Sequence, residues 1–499
     1  MSGAGPEVRV AAGRVRGLVE DGVAVFRGIP FARPPVGDLR LAAPVPAEPW
    51  DGVRPAVAFG PPPPQSQMLG LSQAGNDGSE DWLTANVWSP DLGARLPVMV
   101  WIYGGAYIFG WSGDPAYDGG VLARHDEVVV VTFNYRVAAE GFGHFEGAPA
   151  NRGLLDQVAA LRWVRDNIAA FGGDPDRVTV FGESAGAGSA AALMTMPSAA
   201  GLFHRVIAQS VPGPFLSTEL AADVARAVAG ELGVPPVAGE LARVPPQRLI
   251  EAGDAVAATM RGNLRWGQLA HTQTAFSPVV DGEILPAAPW RALADGVARD
   301  VELIAGHTRD EYRLFIAMRG DIGRITEEQA ATALRVFAPD PDAYRAAYPG
   351  AGAERLYELV YSDWLFRMPS LHLAQAHQAG GGRAHLYELT WPAPGMGGEV
   401  LGACHGLDVP LTFGNLAAGG LGLLIGGSPS RETADLSARV RAAWTAFAAT
   451  GYPGWPAYEP EGGHTWVIDA KPEVAAYPEN TSRALWAEHT FGPLPLCAG

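Results

Sequence analysis

The chain has 499 residues, 48% hydrophobic and 18% charged, so it can bury a large core and is not a disordered chain. Its formal net charge of −17 repels phosphates and anionic lipid, which argues against nucleic-acid or membrane partners. Gly (63) and Pro (42) are scattered between apolar runs with no G-x-y period, which excludes collagen-like and low-complexity chains.

Two cysteines, Cys404 and Cys497, are too few for a secreted disulfide scaffold. The first residues lack the apolar stretch of a signal peptide, and no apolar run approaches the ~18 residues of a membrane span. The expected setting is cytoplasmic, as a monomer or small homo-oligomer.

In chain order, residues 8–10, 14–17 and 23–26 read as short strands. Residues 29–35, rich in proline, read as an extended loop, and 61–76 as a long surface loop. Residues 98–103 (VMVWIY) and 128–133 (VVVVTF) are unbroken apolar runs. Such runs suit strands covered on both faces, as in a parallel sheet. Residues 155–171 repeat apolar positions at helical spacing and end at Gly172-Gly173. Strands follow at 178–181, 206–209, 302–305 and 385–390. Strands alternating with helices predict an α/β fold with a mostly parallel sheet. Residues 212–300 and 312–380 are helix-rich and read as insertions into a single domain spanning 1–499.

Strand 178–181 runs directly into Gly182-Glu183-Ser184-Ala185-Gly186 and then a helix. A strand-turn-helix with small flanking residues forces its serine into strained backbone at a helix N-terminus. Free N–H groups and the helix dipole there favour negative charge. Ser184 is the candidate nucleophile. Gly104 and Gly105, after strand 98–103, let backbone N–H groups point at a ligand, so Gly105, Ala106 and Ala185 are candidates for binding a developing oxyanion. Among the later histidines, His372 and His377 fall on a helix, His385 starts a strand, and His464 and His489 lie in the tail. His405 sits in the loop Gly402-Ala-Cys-His405-Gly and is the candidate base. Strand 302–305 leads to Asp310 and Glu311, and spacing leaves either as the acid that orients the imidazole.

These motifs, with Phe26-Arg-Gly-Ile-Pro-Phe-Ala-Arg-Pro-Pro35, Asn134-Tyr-Arg136, Gly153-Leu-Leu-Asp156 and Phe171-Gly-Gly-Asp-Pro175, resemble the type-B carboxylesterases, the cholinesterase-like branch of the α/β-hydrolases. The resemblance runs from about residue 13 to the tail. It implies an α/β-hydrolase fold with helical insertions over the active site. It also implies Ser184 as nucleophile, Glu311 as acid and His405 as base, with Glu183 and Ser210 beside them. Arg40 with Glu80, and Arg136 with Asp156, match structural ion pairs. Trp82 and Pro63 or Pro64 stand where many relatives have a disulfide. Ala106 replaces a third glycine, and Tyr312 and Val211 replace glycines near the site. The aromatic set that binds choline is not evident.

The implied activity is hydrolysis of short- to medium-chain alkyl or aryl esters through an acyl-enzyme, with no metal or cofactor, falling as His405 protonates below roughly pH 6–7. Met68, Leu69, Leu71, Phe215 and Phe315 are the expected pocket lining. The same triad would suit an amide or carbamate hydrolase. A non-catalytic binding relative would ordinarily have lost a triad member, whereas all three stand here.

Overall fold

A computed structural model of the protein describes residues 5–67, 80–395, 400–460 and 463–498. The two apolar runs lie side by side in the sheet as strands Leu96–Ile102 and Val129–Phe133. Every residue of Val129–Phe133 is buried, which is why the run needs no polar alternation. Seven neighbouring strands run parallel. In spatial order they are Thr465–Ile468, Ala384–Leu389, Glu302–Thr308, Arg205–Gln209, Gly173–Glu183, Leu96–Ile102 and Val129–Phe133. Thr84–Ser89, Val23–Pro30 and Leu18–Glu20 extend one side antiparallel, and Glu473–Ala475 the other, to complete eleven strands. The expected α/β fold is present, with antiparallel margins that the sequence reading did not resolve.

Four local expectations need correction. Residues 29–35 are not wholly loop, because Val23–Pro30 continues as a strand whose Ile29 pairs with Ala85 across a bulge. Of the expected surface loop, Pro62–Ser66 is buried, and the Ser66 N–H donates to the Ile108 carbonyl at 2.9 Å. Met68, Leu69 and Leu71 lie outside the described residues. The helix expected over 155–171 is Arg152–Asn167, tightening into a 3₁₀ turn at Ile168–Phe171 before Gly172 at φ 78°. Arg40 pairs with Glu140, at 2.5 Å, and not with Glu80, which is exposed. Glu140 belongs to the buried helix Ala138–Phe142, so an inward-facing Arg40 meets it and also donates to the Ala242 and Val244 carbonyls. The Arg136–Asp156 pair forms as expected, fully buried and at 2.7 Å.

Residues 212–300 carry the helices Thr218–Leu232, Pro246–Thr259 and Pro289–Ala294. Residues 312–380 carry Arg313–Met318, Glu327–Phe337, Pro341–Ala347, Ala353–Ser362 and Met368–Ala379. The last two are joined without a break by a π-helical turn, Asp363–Arg367.

Candidate active site

Three parallel neighbours, Gly173–Glu183, Arg205–Gln209 and Glu302–Thr308, end on the same side of the sheet. Their C-terminal ends deliver Ser184, Ser210 and the loop to Glu311. Ser184 has φ 57° and ψ −125°, and helix Ala185–Thr195 starts immediately after it. A non-glycine residue in that region is strained, at a cost of about 1–3 kcal/mol. The turn is held by the Ser184 N–H on the Gln209 carbonyl (2.8 Å) and by the Gly188 N–H on the Ser184 carbonyl (2.9 Å).

The glycines beside it are dictated by contact. A Cβ on Gly104 would lie 3.2 Å from the Ser184 Cβ and 3.0 Å from Glu183 Oε2. Gly105, Ala106 and Tyr107 all take positive φ (108°, 52° and 61°), which turns this stretch of backbone sharply after the strand. Among the described residues, the N–H groups of Gly105, Ala106 and Ala185 meet no protein acceptor. Gln65 braces the far end of this turn, accepting from the Gly110 N–H at 3.0 Å.

Between the two candidate acids, it is Glu311 that meets His405. Its Oε2 lies 2.5 Å from His405 Nδ1, while Oε1 accepts from Ser210 Oγ (2.6 Å) and the Thr308 N–H (2.8 Å). Asp310 instead holds the His405 loop by its backbone. The Ala403 N–H donates to Asp310 Oδ2 (3.0 Å), and the Asp310 N–H donates to the Ala403 carbonyl (2.8 Å). Gly402, at φ 58°, passes so close that a Cβ would lie 2.4 Å from Asp310 Oδ2.

The other imidazole nitrogen, Nε2, faces Glu183 Oε1 at 3.0 Å. The Ser184 hydroxyl makes no hydrogen bond among the described residues. Burial alone would lower the His405 pKa, but Glu183 and Glu311 outweigh it and push it up to about 9. Burial pushes the Glu183 carboxyl up to about 8, against the attraction of His405. Near neutral pH the imidazole and the Glu183 carboxyl thus each favour the protonated state. Burial would also raise Glu311, yet the His405 charge and the hydrogen bonds from His405 and Ser210 keep it below its ordinary value.

Of the expected lining residues, Phe315 packs on the His405 ring, with centroids 5.2 Å apart. Phe215 is fully buried with its ring edge-on to Trp290, which places it in the core and not on the imidazole. Tyr312 is buried and stacks on Tyr361 at 4.1 Å, and the Val211 N–H donates to Ser370 Oγ. Sequence reasoning missed Phe366, which stacks on His405 at 4.2 Å, whereas Glu183, expected beside these residues, lies against Nε2. Phe366 carries no motif, whereas Glu183 stood next to the serine and so had a local signal.

A profile of the Carboxylesterase family matches residues 4–348 and 342–486. The chain is 39% identical over 488 residues to para-nitrobenzyl esterase of Bacillus subtilis (strain 168), covering 94% of this chain and 96% of that one. It is 35% identical over 499 residues to phenmedipham hydrolase of Pseudarthrobacter oxydans, covering 96% and 98%. A solved PNB esterase superposes with a TM-score of 0.84 at 37% identity, covering 96% of this chain and 99% of that one. A carboxylesterase of Geobacillus stearothermophilus gives 0.84 at 36%, with the same coverage. With sheet order, strand-end loops and nearly full-length similarity in agreement, the chain belongs to the carboxylesterase family and is a carboxylic ester hydrolase of α/β-hydrolase fold.

Proposed function

We propose that Ser184, His405 and Glu311 hydrolyse short- to medium-chain alkyl or aryl esters by acyl transfer. His405 Nε2 takes the Ser184 proton as Oγ bonds to the ester carbonyl carbon. The N–H groups of Gly105, Ala106 and Ala185 bind the resulting oxyanion. The carbon–oxygen bond to the alcohol then breaks, and the alcohol leaves with the proton held on His405. Water repeats the sequence on the acyl-enzyme, releasing the acid and restoring the serine. Glu311 keeps Nδ1 protonated and the ring oriented.

The observation that carries this reading is the 2.5 Å bond between His405 Nδ1 and Glu311, which leaves Nε2 against Glu183, the residue before Ser184. The phenylalanine rings beside the imidazole favour flat or apolar ester groups. Both cysteines are free thiols, in keeping with a cytoplasmic setting.

Covalent labelling by an organophosphate followed by peptide mapping tests the nucleophile. Label is expected on Ser184 and absent from Ser184→Ala, which should also lose turnover of p-nitrophenyl acetate. Label on another residue, or full turnover by Ser184→Ala, would reject the assignment.

A further inference from the structure

Besides the carboxyl groups at its nitrogens, the His405 ring has aromatic side chains packed on its face. Phe366 is 3% exposed and lies nearly parallel to the imidazole, at 4.2 Å and 26°. Phe315 adds a second ring at 5.2 Å, and the two phenylalanines are themselves nearly parallel, 6.0 Å apart.

Phe366 reaches this place through an unusual piece of backbone. It lies in the π-helical turn Asp363–Arg367 between two ordinary helices. A π turn takes an extra residue, resets the facing of the side chains after it and persists where something compensates its poorer geometry. Here the compensation is a fully buried ion pair across the turn, Arg367 to Asp363 at 2.8 Å. Arg367 also reaches Glu479 (3.0 Å) and Ser482 Oγ (2.9 Å). Tyr344 and Ser482 donate to Asp363. The same Arg367 donates to the Arg309 carbonyl at 3.1 Å, two residues before Glu311. One arginine therefore ties the turn that bears Phe366 to the loop that bears the acid.

We propose that Phe366 is a positioning residue for the general base: its ring holds the His405 imidazole in line with Glu311 and favours the imidazolium formed as Ser184 attacks. This rests on His405 being the base. An aromatic face attracts a cation through its quadrupole, whereas an aliphatic side chain of similar bulk only fills space. The charged groups acting on the imidazole are Glu183, Glu311 and Asp408, none of which the substitutions below alter.

Phe366→Leu keeps bulk and removes the π face. It is expected to lower kcat about 3- to 30-fold with KM changed less than about twofold. Because the ring favours the protonated imidazole, its loss should also move the acid limb of kcat/KM down by about 0.4 to 1 pH unit. Phe366→Tyr and Phe366→Trp should restore both rate and limb. A leucine variant with unchanged kcat and an unmoved limb would overturn the proposal, as would a folded tryptophan variant no better than leucine. Should the leucine variant not fold, Phe366→Met against Phe366→Tyr gives the same comparison. Organophosphate labelling of each variant separates the two levels. Slower labelling still mapped to Ser184 supports Phe366, an unchanged labelling rate rejects Phe366 alone, and label elsewhere rejects the catalytic reading itself.

Discussion

His405 has a carboxyl group at each ring nitrogen, and in its proposed role as base this should set the pH dependence of activity. A general base acts in its neutral form, whereas Glu311 and Glu183 both favour the charged one. With its pKa pushed up to about 9, the acid limb of kcat/KM should lie above the ordinary imidazole range, and activity should climb between about pH 7 and 9. This replaces the roughly pH 6–7 midpoint expected for an unperturbed histidine. Glu183→Gln removes a carboxyl that becomes charged only as pH rises through about 8, and it should move the limb down; a half-maximal pH near 6.5 in the parent enzyme would contradict the argument. The sign for stability follows from the same shift. A raised pKa contributes stability fully present below about pH 6.5 and lost as pH rises through about 9. The neighbouring carboxylates divide the labour differently. Glu311→Gln leaves the imidazole without its charged partner and should cost about 10³–10⁴-fold in kcat. Asp310→Asn retains an acceptor for the Ala403 N–H and should stay within about tenfold. A reversal of that ranking in steady-state kinetics would move the orienting role to Asp310.

Among elements, the strand that feeds the candidate oxyanion turn and the helix that follows Ser184 touch backbone to backbone. A Cβ on Gly186 would lie 2.0 Å from the Ile102 carbonyl oxygen, so only glycine fits there. Gly186→Ala should lose about 1–3 kcal/mol of stability and lower turnover as the strand is pushed aside. A variant with the parent's urea midpoint and kcat would refute the contact. The same elements show what a sequence displays and what it hides. Leu96–Ile102 and Val129–Phe133 are legible because burial on both faces leaves unbroken apolar runs. Thr84–Ser89 is equally buried but spells TANVWS and was not read as a strand. Its Asn86 is tolerated inside because it donates to Ser112 and Thr132 and accepts from the Gly28 N–H, partners that come only with the fold. Ser184 and the glycines were legible because a strained turn demands a local pattern. Phe366 was not, because nothing in Asp363–Arg367 announces a π turn; the ion pair that stabilises it recruits Glu479 from far along the chain. Arg40 was paired with the wrong acid for a similar reason, since Glu140 becomes its neighbour only once the helix Ala138–Phe142 is packed.

At the scale of the whole molecule, the eleven-stranded sheet draws strands from Leu18 to Ala475. The later residues also return to the middle of the sequence: the Leu494 N–H donates to the Phe215 carbonyl, and the Ser217 N–H to the Leu494 carbonyl. The net charge of −17 acts over all of it. An ester carrying a free carboxylate should show a lower kcat/KM than a neutral ester of equal size at low ionic strength. The gap should narrow toward about 0.5 M salt as the field is screened. A gap that ignores salt would mean that local sterics, and not the field, reject the anion.

Ser184 has one consequence beyond its proposed reaction. At φ 57° the residue is held where a side chain is strained and glycine is not, so replacing Ser184 by glycine is expected to stabilise the chain by whatever part of that strain exceeds glycine's entropic cost. Selection for heat resistance alone would therefore favour an inert descendant first at this position. Lineages that adapt to warmth and stay active must find their gains in surface loops and helix caps, and leave the strained turn as it is.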